Sequence, residues 1–271
     1  MGPIGERMEA EGQIVLSTSD AFGNILVIDY QGYRVLTFDS PFVQSGFYLE
    51  QPFAVVHEYI SIMVLVLGFV APRHVTVLGL GGGSLLRSLH HALPRCHFQV
   101  AEIRAKVRDI ARDFFFIPMD DRVTISITDA QSQLEALGEE STDIVFSDLY
   151  DADVMSPVQA HEAFVRQSGR VLCERGWLVA SYHELPKEDS HLMQALREQF
   201  AQVWVCPGVI GNFILFASKA PGMDLPSAAV AIQMIERDLA TPLMPLFERL
   251  MKARGKKRVL ADPFGCSAWT G

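Results

Sequence analysis

The chain has 271 residues, 49% of them hydrophobic, enough to support one large α/β domain with a small accessory unit. Its formal charge of −9 argues against nucleic-acid binding, which requires a basic patch, and suits a cationic ligand. Four scattered cysteines (Cys96, Cys173, Cys206, Cys266) form no CxxC and no His/Cys metal spacing, which predicts reduced thiols of a cytoplasmic protein with no bound metal.

The first dozen residues read as a polar leader without the apolar core of a signal peptide. Short strands follow at QIVLSTSD, GNILVIDYQ and YRVLTFD, separated by turn residues such as Gly23-Asn24 and Gln31-Gly32. Residues 1–51 are thus expected to form the leader and a small antiparallel β unit. A helix is predicted over Pro52–Val70. Its apolar run, Tyr59–Pro72, falls short of the roughly 20 residues that span a bilayer and reads as a buried helix.

Past Pro72 the pattern alternates. Strands are predicted at HVTVLG, HFQVAE, VTISI, DIVFSD and WLVASY, with helices between them such as AKVRDIARDFF and AHEAFVRQSGRVL. Such alternation predicts a doubly wound, mostly parallel sheet. It closes with VWVCPG and NFILFASK, a terminal antiparallel pair similar to that of S-adenosylmethionine-dependent methyltransferases. Residues 52–220 are therefore expected to form a Rossmann-like α/β domain with a seven-stranded methyltransferase-type sheet. Residues 221–271 are expected to form a C-terminal helical extension and tail. The basic cluster Lys252–Arg258 reads as a solvated helix end.

Ligands of open parallel sheets bind beyond the carboxyl ends of the strands. The first strand end carries four glycines in five residues, Gly79-Leu80-Gly81-Gly82-Gly83, followed by Ser84. Gly79, Gly81 and Gly83 fit GxGxG, a turn that lets a nucleotide approach the backbone, whereas Ser84 breaks the dinucleotide fingerprint GxGxxG. The second strand ends at Glu102, about 20 residues on, where such folds hydrogen-bond ribose. After the third strand, Asp129 suits either an adenine amino group or a helix N-cap. The fourth end holds Asp148, Asp151 and Asp153 within six residues. That repulsive cluster is relieved by a cation, or else is a solvated acidic loop.

In order and spacing these strand ends resemble the spermidine synthase (polyamine aminopropyltransferase) family over roughly Gln44–Lys219. The matches are GLGGGSLLR, VAEI, Asp129-Ala130, Asp148-Leu149-Tyr150-Asp151, VHEYISIM, and Pro207-Gly208 followed by FILFASK. The resemblance implies a transferase that uses decarboxylated S-adenosylmethionine as co-substrate. It assigns Gly79, Gly81, Gly83, Glu102, Asp129 and Gln44 to the donor, Asp151 as base and Asp148 beside it. Tyr150, His57 and Glu184 fall to the acceptor, a polyamine or another amine. No metal, nucleic acid or membrane is implied, and a homodimer is left open.

Three departures open further readings. The family's aspartate in the glycine turn is Gly82 here, which removes an element that disfavours intact S-adenosylmethionine. The family tyrosine before HE is Val56. After the fifth strand the chain reads SYHELP, with Ser181 at a glutamine position, Glu184 one residue out of register, and His183 either a proton-transfer group or a polar loop residue. The alternatives to aminopropyl transfer are therefore a methyltransferase using intact S-adenosylmethionine and a non-catalytic nucleoside-binding protein.

Overall fold

The computed structural model describes residues 11–38, 43–151, 154–208, 211–222 and 224–255. The side chains of Asp151, Val154 and residues 251–255 lie outside that description, as do most of the leader and the end of the basic cluster.

The N-terminal strands form an antiparallel meander, β1 (Gln13–Asp20), β2 (Gly23–Tyr30), β3 (Tyr33–Thr37) and β4 (Val43–Tyr48). Gln31 and Gly32 join β2 to β3 with φ of +49° and +84°, the two positive values that a tight two-residue hairpin needs. Strand β4 was not predicted. Its stretch VQSGFY carries serine and glycine, which dilute the strand signal, and it is held by register with β3. Ile25, Val27, Leu36 and Phe47 pack this sheet onto Val107, Ile110 and Phe115. Arg104 locks the two units together through both oxygens of Asp20, at 3.0 and 2.8 Å.

The helix predicted over residues 52–70 is shorter. Helix α1 spans Glu58–Val64 and runs into a 3₁₀ turn over Leu65–Gly68. Residues before it are held by tertiary partners instead: the Val55 N–H donates to Thr241 Oγ1 at 3.0 Å.

The large sheet is seven-stranded and mostly parallel. Its parallel strands are β5 (His74–Leu78), β6 (His97–Glu102), β7 (Val123–Ile127), β8 (Thr142–Ser147) and β11 (Leu172–Tyr182). Strand β13 (Phe213–Ser218) runs antiparallel between β11 and β12 (Gln202–Pro207), as the terminal pair predicted. Two-residue strands β9 (Tyr150–Asp151) and β10 (Val154–Met155) make a small ladder just after β8. The intervening helices are α2 (Ser84–Ala92), α3 (Ala105–Phe114), α4 (Ala130–Ala136), α5 (Glu162–Val171) and α6 (His191–Gln199).

The strand order is β12-β13-β11-β8-β5-β6-β7. From β5 the chain first builds outward to β6 and β7, then returns to place β8 on the other side. The crevice of such a sheet opens where the order reverses, between the carboxyl ends of β5 and β8. The glycine turn and Asp148 are therefore neighbours although 69 residues of chain separate Gly79 from Asp148.

Two C-terminal helices, α7 (Leu225–Asp238) and α8 (Met244–Gly255), complete the described chain. Ala228, Ile232, Leu239, Leu243, Phe247 and Leu250 are buried in the same core as Val77 and Val179. This part is thus packed against the sheet. No helix among the described residues is long and apolar enough to cross a membrane.

Candidate active site

A cavity of about 1350 Å³ opens at the switch point, lined by the glycine turn, the ends of β6 and β8, the start of α1, β4 and the end of β11. Its volume exceeds that of an ordinary small-ligand site.

The turn is shaped by contacts that only glycine tolerates at two positions. Gly79 has φ +91°, and a side chain there would collide with the Asp148 carbonyl. Gly83 has φ +69°, and a Cβ would strike Ile117. Gly81 lines the cavity, while Gly83 packs behind it and opens α2. Glu102 holds the turn from below. Its Oε2 accepts from the N–H groups of Leu80 (3.1 Å) and Gly81 (3.4 Å), and its Oε1 from that of Arg104 (2.8 Å). Burial raises the Glu102 pKa, and these N–H bonds oppose the rise.

Asp129 takes the cap position of α4, accepting from the Ser132 N–H at 2.9 Å and from Ser132 Oγ at 2.7 Å. Those bonds hold its carboxyl below the usual range. It still lines the cavity, as does Gln44 on β4.

The opposite wall is made of side chains. Asp148 is half-buried at the end of β8, its N–H bonded to the Leu78 carbonyl at 3.0 Å. Its carboxylate accepts from the Tyr59 hydroxyl at 2.9 Å. Burial pushes its pKa up to about 6, with the Tyr59 bond pulling the other way. Tyr150 follows on β9. Its hydroxyl donates to the Ser181 carbonyl at 3.1 Å, and its ring lies tilted against His183, the centroids 4.5 Å apart. Burial raises the Tyr150 hydroxyl to about 12, so it is protonated at neutral pH. Ser181 is fixed from behind by Gln159, which also meets Ser147 Oγ at 2.5 Å.

His57 lines the cavity at the start of α1. Burial lowers its pKa to about 4, so the ring is neutral, and its Nε2 is buried without a hydrogen-bond partner. Glu184 and His183 are exposed at the cavity rim. Asp151 is placed only by its backbone, paired with Val154; its side chain, and all of Ala152 and Asp153, lie outside the described residues. Among the described residues no cluster of three or more His, Cys, Asp or Glu could hold a metal ion.

Tyr59 was missed in the sequence. It lies three residues after Val56, where the resembled family has its tyrosine, and brings a phenol to Asp148 from the first turn of α1. A helix drawn from Glu58 would have carried that signal.

No protein-family model matches the chain. By sequence it is 26% identical over 182 residues to a polyamine aminopropyltransferase of Neisseria meningitidis, covering 66% of this chain and 69% of the relative. A polyamine aminopropyltransferase of Vibrio vulnificus is 23% identical, over 87% of this chain and 80% of the relative. The eEF1A lysine and N-terminal methyltransferase of Mus musculus is 26% identical over 63% of this chain and 26% of that protein. Among solved structures, a probable spermidine synthase from Corynebacterium glutamicum superposes with TM-score 0.70 at 21% identity, over 84% of this chain and 87% of the other. Human Methyltransferase-like protein 13 in complex with SAH superposes with TM-score 0.55 at 23% identity, over 68% and 91%. The structural likenesses show the fold: a methyltransferase-type sheet with a small antiparallel sheet before it.

Fold and relatives together define a transferase of this architecture. Within that class the chain is a divergent relative of the polyamine aminopropyltransferases, with methyltransferases also among its relatives.

Proposed function

We propose that the chain is a spermidine synthase-like transferase that moves a carbon group from an S-adenosyl sulfonium to the nitrogen of a cationic amine. The observation that carries this reading is the position of Asp148, a half-buried carboxylate held by Tyr59 and set against the glycine turn. Alkylamines have a pKa of about 10, so the acceptor arrives protonated and must lose a proton to become a nucleophile. The freed lone pair attacks the carbon next to sulfur. The carbon–sulfur bond breaks, its electrons neutralise the sulfonium, and a thioether leaves. Asp151 is the base in this reading, and Asp148 stabilises the approaching cation; with a pKa near 6 it is ionised at neutral pH. Glu102 is assigned to the ribose, Gly79 and Gly81 to the close approach of the adenosyl group, and Gln44 to the donor. Asp129 is assigned to adenine, reached while it caps α4.

The names of the first relatives and the acidic segment after β8 support aminopropyl transfer from decarboxylated S-adenosylmethionine to a polyamine. Gly82 favours a second reading, methyl transfer from intact S-adenosylmethionine, because the resembled family's tail-recognising aspartate is missing there. Incubating the protein with each donor and a panel of amines separates them. Methylthioadenosine released from the decarboxylated donor marks aminopropyl transfer; S-adenosylhomocysteine from the intact donor marks methyl transfer. Release of neither thioether with any amine sinks the proposal.

A further inference from the structure

The seven-stranded sheet splits at its carboxyl end beside Asp148. The ladder between β8 and β11 stops at the pair Ser147–Ala180. Beyond that pair Asp148 stays with β5, its N–H on the Leu78 carbonyl, while β11 continues with β13, Ser181 opposite Ile214. Polar groups at the split lose their ladder partners and are shut off from water, Ser147 being 0% and Ser181 1% exposed, so each needs a partner from elsewhere in the chain. Gln159 bridges the gap. It comes from a 3₁₀ turn over Pro157–Ala160 and is fully buried. Its Oε1 accepts from Ser147 Oγ at 2.5 Å, and its Nε2 donates to the Ser181 carbonyl.

An amide suits this place because one end accepts and the other donates. Its main chain is held as well. The Gln159 N–H reaches the Ser156 carbonyl at 3.2 Å, and its carbonyl accepts from the Tyr182 hydroxyl at 3.1 Å. Ser156 in turn donates its N–H to the Leu149 carbonyl at 2.9 Å. The bond between Ser147 and Gln159 thus closes a stretch of chain at its base. That stretch carries Asp148, Tyr150 and the β9–β10 ladder with the backbone of Asp151. The Tyr150 hydroxyl donates to the same Ser181 carbonyl as Gln159, so both lone pairs of that oxygen are used. Asp148, Tyr150 and Ser181 line the cavity, whereas Gln159 stands behind them.

We infer that Gln159 is the positioning residue of the wall proposed for the acceptor. Through Ser147 it sets where Asp148 leaves β8, and through the Ser181 carbonyl it sets where Tyr150 stands. It touches no substrate; its effect passes through these neighbours. With its lone pairs taken by Gln159 and Tyr150, the Ser181 carbonyl does not compete for the amine, which is directed to Asp148. In-line attack on carbon tolerates little error in such a group: a misplacement of about 1 Å costs on the order of 10²-fold in rate. This inference rests on the transferase reading above and holds for either of its donors.

The test is Gln159→Leu in the full chain, by steady-state kinetics with an amine that the unsubstituted protein accepts and by calorimetry with methylthioadenosine. The amine kcat/KM is expected to fall at least about tenfold, while donor KM and methylthioadenosine affinity stay within about twofold. A residue that only supports the fold would weaken donor and acceptor alike, so equal losses, or no loss, overturn the inference and leave the transferase reading standing. An unsubstituted protein that transfers to no amine removes both. Should Gln159→Leu no longer bind methylthioadenosine, Ser147→Ala decides, since it removes only the hydroxyl that Gln159 accepts. A fall of about threefold or more in amine kcat/KM at unchanged methylthioadenosine affinity supports the inference. No change, or an equal loss in both, overturns it.

Discussion

The two walls of the cavity are built on different principles. The wall proposed for the donor is mostly backbone: a glycine turn held by one carboxylate, Glu102, which accepts from the Leu80 and Gly81 N–H groups and is itself fixed by that of Arg104. The wall proposed for the acceptor is mostly side chain. Tyr59 comes from α1, Asp148 from the end of β8, Tyr150 from β9, and Ser181 and His183 from the end of β11. A backbone wall is insensitive to most substitutions outside its glycines, whereas a side-chain wall changes chemistry with each replacement.

The comparison breaks most sharply at Asp148. Asp148→Asn is expected to reduce the transfer rate on the order of 10²- to 10⁴-fold while methylthioadenosine affinity stays within about twofold, by steady-state kinetics and calorimetry on one preparation. Asp151→Asn should do the same if it is the base, and the larger loss identifies the proton acceptor. A rate unchanged by both would remove the acidic segment from the mechanism.

Next in size is the donor wall. Glu102→Ala leaves the Leu80, Gly81 and Arg104 N–H groups without their acceptor, which costs roughly 1–3 kcal/mol per buried group left unpaired. All adenosyl ligands should weaken together by about tenfold or more, with a lower melting temperature. A loss confined to one ligand would contradict a role in holding the turn and the ribose.

A smaller effect reads the Tyr59–Asp148 bond. The rate should rise with pH through about 6 as Asp148 ionises. Stability has the opposite sign: Asp148 keeps its proton in the folded state between its ordinary 3.8 and about 6, so its contribution, at most about 3 kcal/mol, is lost as pH rises through that window. Tyr59→Phe removes a bond that favours the carboxylate and should move the rate midpoint to higher pH. A midpoint that stays put would show that the phenol does not tune this carboxyl.

The smallest effect concerns the C-terminal helices. Arg249 on α8 reaches Glu58 at 2.9 Å, bracing the start of α1. Arg249→Ala should cost about 1 kcal/mol by denaturant titration and raise the acceptor KM more than it alters donor affinity. Equal effects on both would deny that this brace serves the acceptor wall.

Residue pattern was enough for the strand–helix alternation and the terminal antiparallel pair, because hydrophobic periodicity is local. It was enough to place Gly79 in a turn and Glu102 at the end of β6 beside it, since a turn and the next strand end lie within one βαβ unit. It did not reveal β4, whose serine and glycine are chosen by their neighbours rather than by strand preference. Glycine at 82, where the resembled family has an aspartate, was visible in the sequence, but the reason another side chain does not fit there was not: Ser45, 37 residues earlier, fills the space.

The sequence by itself determined the sheet, the glycine turn and the order of polar residues at the strand ends, all set by short-range pattern and by backbone freedom. Only the tertiary structure decided that Tyr59 bonds Asp148, that Arg87 stands behind the turn among neutral partners, and that Ser45 fills the space beside Gly82. Each of these joins residues tens of positions apart, and the energy of burying a polar or charged group depends on which partner the fold brings to it.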